Sequence, residues 1–160
     1  MVIYLGIGTN LGDRDANLRT ALALLHERVG ECLACSSIYR SAPQGFVSDN
    51  EFANIVAVCQ TIHSPEEVLR ITQQIERDMG RTQKSENGVY HDRVIDIDLL
   101  KAYIQKPETG NRSEIEHHSD TLILPHPRMQ ERDFVQVPLR EVETILHHCY
   151  TTAKPLLNHC

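Results

Sequence analysis

The pattern of apolar and polar positions along the chain predicts short strands that alternate with helices. Residues 2–7 and 52–62 are mostly apolar over short lengths, which is typical of strands, and 52–62 is apolar enough for an internal strand. Residues 15–29 carry apolar side chains at helical spacing and are followed by a glycine, so they predict a helix. Residues 33–39 predict a further strand, which ends before Pro43.

The second helix has the clearest boundary signals. Ser64 and Glu67 form the two halves of a capping box, and Pro65 stands at the first helical position. Apolar side chains then recur at helical spacing as far as Gly80, which ends the helix. Residues 93–100 predict a strand, because apolar and polar residues alternate within them from Ile95 to Leu99.

The C-terminal third combines a polar segment with a last helix. Residues 106–120 are rich in His and Glu, so we expect an exposed excursion without a core of its own. An apolar piece at 122–127 leads into a predicted C-terminal helix. The order β-α-β-β-α-β is that of the split βαβ, or ferredoxin-like, α+β fold, in which two helices pack on one face of an antiparallel sheet. We expect a single domain over residues 1–160, without a second catalytic domain.

Composition and charge narrow the class of ligand. The chain is 41% hydrophobic and 24% charged, as is ordinary for a water-soluble protein. Its 16 basic and 22 acidic residues give a net charge of −6, which argues against nucleic acids and anionic membranes as partners. Neither a signal peptide nor a membrane helix is predicted, and five scattered cysteines fit reduced thiols, so we expect a cytoplasmic monomer. An anionic ligand would have to be bound by locally placed Arg or Lys side chains or by metal ions.

Two aspartates in the predicted strand give the strongest chemical signal. Asp96 and Asp98 are two residues apart and therefore face the same side of a strand, with apolar neighbours on the other side. Neighbouring carboxylates repel each other unless a cation lies between them, and Mg²⁺ commonly takes one or two carboxylates together with phosphate oxygens. A solvated strand face is the alternative interpretation. Arg93 favours the metal site, because a cation beside a metal can hold a transferring phosphate.

Two further groups of residues add to this signal. Basic side chains concentrate between positions 77 and 93 of a chain that is acidic overall, although each alone is typical of solvated surface charge. These residues are Arg77, Arg81, Lys84 and Arg93. Phe52 and Asn54 share a strand face and offer an aromatic ring beside an amide, which suits a planar heterocycle. Taken alone, Phe52 is also typical of a core residue.

Other motifs give no site. The N-terminal glycines miss the spacing of dinucleotide-binding and P-loop motifs, so they predict a tight turn. These glycines are Gly6, Gly8 and Gly12. Cys32 and Cys35 have no second cysteine pair and would point to opposite faces of a regular strand. The adjacent histidines at 117–118 and 147–148 lie in polar surroundings and cannot easily share a zinc ion.

Seven short motifs follow one another in a recognisable order. They are Gly8-Thr9-Asn10-Leu11-Gly12, Ser37-Ile38-Tyr39-Arg40-Ser41, Phe52-Ala53-Asn54, Ile75-Glu76, Gly80-Arg81, Arg93-x-x-Asp96-x-Asp98 and Pro125-His126-Pro127. In this order the chain resembles the 6-hydroxymethyl-7,8-dihydropterin pyrophosphokinase family from Val2 to about Leu139. The combination of Arg-x-x-Asp-x-Asp with a downstream Pro-His is the most specific part of the resemblance.

The resemblance implies a ferredoxin-like enzyme of folate biosynthesis that transfers a diphosphate from ATP to a hydroxymethyl-dihydropterin and releases AMP. It implies two Mg²⁺ ions held by Asp96 and Asp98, with Arg81 and Arg93 acting on the charge that moves in the transition state. The residues implied to bind the pterin are Ala42, Gln44, Phe52, Asn54 and Phe134. The residues implied to lie near the nucleotide are Glu76, Arg93, Leu99, His126 and Arg132.

The sequence departs from the family pattern in three places. Gln83 stands where the family often has a second Arg, a Trp common near residues 89–90 is missing, and the segment 101–121 is longer than usual. From the residues alone, two other classes stay open: a ferredoxin-like regulatory module that binds a ligand without turnover, and a metal-dependent phosphohydrolase. The carboxylate pair beside an arginine cluster argues against the module, and AMP formation without free phosphate would distinguish the kinase from the hydrolase.

Overall fold

The structure, a computed structural model, describes residues 1–43, 49–81, 91–105 and 112–152. Within these ranges the chain forms eight strands and three helices. The strands are β1 (Val2–Thr9), β2 (Glu31–Cys35), β3 (Tyr39–Ser41), β4 (Phe52–Gln60), β5 (Asp96–Gln105), β6 (Arg112–Glu114), β7 (His117–His118) and β8 (Ile123–Leu124). The helices are α1 (Arg14–Arg28), α2 (Pro65–Asp78) and α3 (Asp133–Thr152), and a 3₁₀ turn at Met129–Glu131 precedes α3.

An antiparallel sheet forms the centre of the fold. Its strand order is β2-β4-β1-β5-β6, and β3 also pairs with β4. Strands β7 and β8 form a separate two-stranded sheet. The internal position predicted for β4 is confirmed, and all its residues except Gln60 are buried. The sheet therefore places β1 between the strand that carries Asn54 and the strand that carries the two aspartates.

Two apolar cores lie on the two faces of this sheet. The larger core joins the sheet to α1 and α2, which confirms the prediction that two helices pack on one face. It contains Ile7 of β1, Ile97 of β5 and Ile75 of α2, each at most 4% exposed. The second core lies under α3, where Leu139 and Val142 pack on the opposite face of the sheet. Because α3 covers this second face only in part, the remaining surface is available for a ligand cleft.

The helix boundaries follow from their caps. The Asp13 side chain accepts a hydrogen bond from the Ala16 backbone N–H at 3.0 Å, which starts α1 one residue earlier than predicted. The capping box predicted for α2 is confirmed: Ser64 Oγ accepts from the Glu67 N–H, and Glu67 Oε2 accepts from the Ser64 N–H. Removing such a cap typically costs about 1 kcal/mol. Glu76 lies on the buried side of α2, where it reaches the Ile97 backbone of the sheet.

Two strand boundaries differ from the prediction. The predicted strand 33–39 is two strands, β2 and β3. The strand predicted to begin at Arg93 begins instead at Asp96. The reason is that the Arg93 backbone bonds to Asn10 and not to a neighbouring strand, with Arg93 N 2.8 Å from Asn10 Oδ1 and Asn10 N 3.1 Å from Arg93 O.

The described part of the polar segment predicted over 106–120 is mostly exposed, as expected, but it also contains a strand that the sequence did not predict. Strand β6 extends the sheet beside β5, and Ile115 packs against the larger core. Polar side chains on both sides of a short edge strand hide it from a pattern search, because an edge strand is stabilised by backbone pairing. Residues 106–111 lie outside the described residues.

The cysteine pair also differs from expectation. The pairing of β2 with β4 shifts register between Cys32 and Ala34. As a result Cys32 and Cys35 both pack against the larger core instead of pointing to opposite faces. Among the described helices, none is both long and apolar enough to cross a membrane.

Candidate active site

Glycines in β1 leave space on the sheet face that carries the two aspartates. In the register of the sheet, Gly8 is paired with Asn54 on one side and with Asp96 on the other. Gly6 is paired with Asp98. A Cβ atom on Gly8 would lie 2.8 Å from Asn54 Oδ1, closer than real side-chain contacts. Gly8 therefore allows the Asn54 amide to lie over β1, where any side chain at position 8 would collide with it.

The tight turn predicted for the N-terminal glycines is wrong for two of the three. Gly6 and Gly8 lie inside β1, whereas Gly12 has a φ of 65° and does form a turn beyond the strand. Sequence spacing does not distinguish a glycine required by backbone conformation from one required by space beside a neighbouring strand.

Asp96 lies at the centre of a network of charges. Arg81 Nη1 donates to Asp96 Oδ1, and Arg93 Nη2 lies 3.1 Å from Asp96 Oδ2. Arg132 Nη1 approaches the other carboxylate, at 3.8 Å from Asp98 Oδ2. The three arginine side chains are largely buried, so their charges act on the aspartates with less solvent screening than surface charges would.

The position of Arg93 shows why a regular strand was the wrong expectation. In an unbroken strand, residues 93 and 96 would point to opposite faces. Because β5 begins at Asp96 and the preceding segment bends, the Arg93 guanidinium reaches the same side of the sheet as the carboxylate. The prediction of an arginine beside the aspartate pair thus describes the site correctly, although the local structure is different.

Glu76 connects α2 to β5 next to Asp96. Its Oε1 accepts a hydrogen bond from the Ile97 backbone N–H at 2.7 Å and lies 2.7 Å from Arg81 Nη1. The Arg81 backbone N–H also donates to the Glu76 carbonyl at 3.0 Å. Glu76 is 5% exposed, and a buried carboxylate is tolerated when it is paired in this way. Glu76 therefore fixes Arg81 against the first residues of β5.

The two aspartates differ in their electrostatic surroundings. Burial, and next the charge of Asp96, raise the pKa of Asp98 to about 7, and Arg132 and Arg93 oppose this shift. The Asp98 side chain is nevertheless 41% exposed, because it faces the open cleft and not the core. A cation in the cleft would favour the ionised form of Asp98. The carboxylate pair thus has the properties of a cation site.

Both predicted aromatic residues border these arginines. The guanidinium carbon Cζ of Arg93 lies 5.3 Å from the centre of the Phe52 ring, and Cζ of Arg132 lies 5.7 Å from that of Phe134. Asn54 is 6% exposed and donates to Ser41 Oγ at 3.1 Å. Phe52 and Asn54, which the sequence predicted as one group, therefore lie next to the aspartates and arginines that it predicted as another.

Two cavities meet above the aspartates. The larger has a volume of about 400 Å³, and its lining includes Glu76, Arg81, His126 and Arg128. The smaller has a volume of about 30 Å³, and its lining includes Gly6, Gly8, Asn54 and Phe134. Both cavities are lined by Arg93, Asp96, Asp98 and Arg132. Ligands in the two cavities would therefore contact the same four side chains.

Three predicted residues do not join this cleft. The Leu99 side chain is 3% exposed in the larger core, because residues 98 and 99 point to opposite faces of β5, and the place of Leu99 near the nucleotide stays a prediction. Ala42 is exposed just after β3 and lines neither cavity. Gln44 lies outside the described residues.

Asn17 and Asp92, which the sequence did not single out, hold the segment before β5 in place together with Asn10 of the first motif. Asn17 Nδ2 donates to the Leu11 carbonyl at 2.9 Å and to the Val94 carbonyl at 3.3 Å. Asn10 Nδ2 donates to Asp92 Oδ1 at 2.6 Å. Isolated polar residues next to turns are common, so nothing in the sequence marked these as partners across some 80 positions.

The donor set of the cleft fits magnesium. Among the described residues, no group of three or more His, Cys, Asp or Glu side chains could hold a metal ion. A pair of carboxylates is what Mg²⁺ takes from a protein when substrate phosphates and water complete its coordination. A structural zinc site would need four protein ligands.

Comparison with known proteins decides the family. The model of the family 7,8-dihydro-6-hydroxymethylpterin-pyrophosphokinase (HPPK) matches residues 4–144. The chain belongs to this family. It is 46% identical over 150 residues to the 2-amino-4-hydroxy-6-hydroxymethyldihydropteridine pyrophosphokinase of Porphyromonas gingivalis, covering 91% of this chain and 93% of that protein. It is 39% identical over 142 residues to the enzyme of the same name from Bacillus subtilis, covering 88% of this chain and 77% of that one.

A solved structure supports the fold of this HPPK chain. A crystal structure described as HPPK-DHPS in complex with substrates superposes with a TM-score of 0.63 at 16% sequence identity. The match covers 88% of this chain and 40% of the other, so the chain spans about two fifths of the length of that protein. The family and the ferredoxin-like α+β fold predicted from the sequence are confirmed.

Proposed function

We propose that this HPPK chain carries out its reaction above Asp96 and Asp98, where the two cavities meet. The reaction is that of an ATP-dependent pyrophosphokinase of folate biosynthesis, in which a diphosphate passes from ATP to 6-hydroxymethyl-7,8-dihydropterin. The observation that supports the placement is the set of four side chains shared by both cavities. Two substrates that react directly must have their reacting groups in contact, and the shared side chains mark where such contact can occur.

ATP suits the larger cavity. Arg81, Arg93 and Arg132 concentrate positive charge there in a chain with a net charge of −6, which favours a polyphosphate. Burial, then the nearby Arg132 and Arg128 charges, lower the pKa of His126. The His126 ring is therefore neutral at neutral pH and can exchange hydrogen bonds with a nucleotide without adding charge. Glu76 contributes by holding Arg81 in place.

Asp96 and Asp98 would hold Mg²⁺, and we propose two ions. After burial, the charge of Asp96 is the main cause of the raised pKa of Asp98, and a cation between the two carboxylates would relieve this repulsion in the open cleft. Bound there with the triphosphate, the ions would supply neutralisation of the phosphate charge. Both carboxylates are then required in their ionised forms, and Arg93 and Arg81 hold Asp96 in its orientation.

The pterin suits the surface at the mouth of the smaller cavity. The cavity itself, at about 30 Å³, is too small to enclose a bicyclic ring, so we propose that the ring lies over its mouth with its edge towards the Asn54 amide. Phe134 lines this cavity, and Phe52 lies next to it, with Cδ1 4.0 Å from the Cβ position of Gly8. Stacking between two rings and hydrogen bonding to an amide would orient the pterin with its hydroxymethyl group towards the aspartates.

The transfer step needs positioning more than a strong base. The hydroxymethyl oxygen would attack the β-phosphorus of ATP, and AMP would leave from the opposite side. Arg93 contacts Asp96 and borders Phe52, so it lies between the two substrates and can hold the group in transfer. Arg81, held by Glu76, can stabilise charge on the other side of Asp96.

The proposal is tested by identifying the products. The purified chain with ATP, Mg²⁺ and the hydroxymethyl-dihydropterin should form AMP and the pterin diphosphate in equal amounts, and Asp98→Asn should form neither. Release of orthophosphate without a pterin product would identify a phosphohydrolase. Saturable binding of both ligands without any product would identify a binding module.

A further inference from the structure

We propose that Asp92 is a positioning residue for the transfer step and fixes Arg93 between the two cavities. The inference rests on the proposed function, in which Arg93 holds the transferring group. Asp92 lines neither of these cavities, so it would act through its neighbours and not by touching a substrate.

The Asp92 carboxylate joins three distant segments of the chain. Its Oδ1 accepts a hydrogen bond from Asn10 Nδ2 at 2.6 Å, and its Oδ2 accepts one from Asn50 Nδ2 at 2.7 Å. Asn10 follows β1, Asn50 precedes β4, and Asp92 precedes β5. Hydrogen bonds to an ionised acceptor are stronger than those between neutral groups, so one carboxylate fastens the approaches to three neighbouring strands.

The first of these bonds sets the orientation of the Asn10 amide. With its nitrogen turned towards Asp92, the amide presents Oδ1 to the Arg93 backbone N–H at 2.8 Å. The Asn10 backbone N–H completes the contact by donating to the Arg93 carbonyl at 3.1 Å. Asn10 is 2% exposed, and a reversed amide would place two donors face to face in a buried position. Asp92 therefore favours the orientation of the Asn10 amide in which Oδ1 accepts a hydrogen bond from the Arg93 backbone.

The second bond acts on the other side of Arg93. Asn50 stands two residues before Phe52, and the Arg93 guanidinium lies over the Phe52 ring at 5.3 Å while contacting Asp96 Oδ2 at 3.1 Å. Through Asn10, Oδ1 of Asp92 acts on the Arg93 backbone. Through Asn50, its Oδ2 acts on the segment that leads to Phe52. The Asp92 carboxylate thus contributes to the relative position of the Phe52 ring and the Arg93 guanidinium.

The chemistry of the link predicts an unusual response to an isosteric change. Asp92 accepts from two amide nitrogens, whereas an asparagine has one oxygen and would turn its own NH₂ group against one of them. Asp92→Asn should therefore disturb Arg93 nearly as much as Asp92→Ala, although it preserves the shape of the side chain.

A double-mutant cycle tests the inference with single-turnover rates of pterin diphosphate formation. We expect Asp92→Ala and Asp92→Asn each to lower the rate about tenfold to a hundredfold, since small misplacements at a reacting centre have effects of that size. The KM for ATP should change less than about threefold, because the anchors of the nucleotide remain. In an Arg93→Ala background, Asp92→Ala should change the rate less than about twofold, since the residue through which it acts is gone.

Glu141→Ala provides the matched control. Glu141 is also a carboxylate that accepts two hydrogen bonds from a distant segment, from Ser37 N at 3.0 Å and Ser37 Oγ at 2.7 Å, and it lines neither cavity. It should leave the single-turnover rate unchanged in both backgrounds. Circular dichroism melts of all variants identify any that fail to fold, and Asp92→Asn replaces Asp92→Ala in the cycle in that case.

The outcomes separate the two proposals. If wild-type protein forms AMP and pterin diphosphate but the effects of Asp92 and Arg93 multiply independently, the positioning role is wrong and the proposed function stands. A change confined to the KM for ATP would overturn the role as well. If the wild type forms no pterin diphosphate, the proposed function fails, and the role of Asp92 fails with it.

Discussion

The two faces of β5 come from one alternating stretch of sequence, yet they are organised by different forces. On the helix side, Ile97 and Leu99, together with Ile95 just before the strand, are buried in the larger core, where volume and shape determine what fits. On the cleft side, Asp96 and Asp98 have separate electrostatic partners. A period of two predicts which residues share a face of a strand, but it does not predict whether their electrostatic surroundings are alike. Two aspartates with the same spacing and orientation are not interchangeable.

The largest expected loss of turnover comes from removing the negative charge of either aspartate on the cleft side of β5. Asp96→Asn and Asp98→Asn should each lower turnover by about a thousandfold or more, because each removes a charge needed to hold the metal and neutralise the triphosphate. Formation of AMP at saturating ATP and Mg²⁺ is the measurement. On the opposite face, Ile95→Val should cost about 1 kcal/mol of stability and leave turnover unchanged. A folded aspartate variant with near wild-type activity would refute the metal site.

The next effect concerns the arginines that contact Asp96. Arg81→Ala and Arg93→Ala should each raise the barrier of the chemical step by roughly 2–4 kcal/mol, as removal of one preorganised donor does. Lysine at position 93 should recover only part of the rate, since it lacks the guanidinium fork. Single-turnover kinetics at saturating ATP isolate this step from product release.

The Arg81→Ala and Arg93→Ala variants should differ in melting temperature. Arg81 pairs with the buried Glu76 carboxylate, so Arg81→Ala leaves a buried charge with fewer partners and should also lower the melting temperature. Arg93→Ala should have a smaller effect on melting. If both variants keep wild-type single-turnover rates and change only ATP affinity, the arginines are phosphate anchors without a role in the transition state.

A smaller effect is expected on the aromatic side of the cleft. Phe52→Ala and Phe134→Ala should weaken pterin binding by about 1–3 kcal/mol each and ATP binding much less, because each loses a stacking surface. Calorimetric titration with each ligand separately is the measurement. Equal losses for both ligands would mean that the rings serve as packing, as the 7% exposure of Phe52 would then suggest.

The sequence predicted most of the fold because its elements are defined by local signals. The capping box of α2, the apolar β4 and the aspartate face of β5 are all visible within a few residues. What it did not predict depends on contacts between distant segments. Gly8 was predicted to be a turn residue, but it is a strand residue that makes room for the Asn54 side chain. Arg93 was predicted to lie in a strand, but its backbone N–H bonds to the Asn10 side chain instead.

The same reasoning explains the uneven prediction of the site. Asp96, Asp98 and Asn54 were identifiable because strand periodicity places them, and the structure brings them together around β1. Asp92 carried no signal, because its importance lies in two amide partners far away in the chain. The Leu99 side chain lies in the core, as strand periodicity predicts, and does not face the two aspartates.

The smallest expected effect tests whether the two aspartates are unequal before any metal binds. The pKa of Asp98 is raised from 3.8 to about 7 in the folded chain, so its neutral form is favoured by folding. Below pH 4 the Asp98 carboxyl is neutral in both the folded and the unfolded chain. As the pH rises through 7, the folded protein loses stability relative to pH 4, because the Asp98 carboxyl must then be ionised in the folded structure. In metal-free protein at pH 8, Asp98→Asn should therefore raise stability by on the order of 1 kcal/mol. This is well below the full size of the shift, because the half-open side chain is screened by solvent.

Asp96→Asn supplies the contrast with the opposite sign. Its carboxylate contacts Arg81 and Arg93, so replacing it should lower stability under the same conditions. Urea unfolding in the presence of a chelator at pH 4, 6 and 8 measures both variants against the wild type. The advantage of Asp98→Asn should vanish at pH 4, where the wild-type carboxyl is also neutral, and Mg²⁺ at pH 8 should stabilise the wild type more than the variant. If the two variants instead shift stability equally at every pH, the aspartates are equivalent and the contrast drawn within the cleft face is wrong.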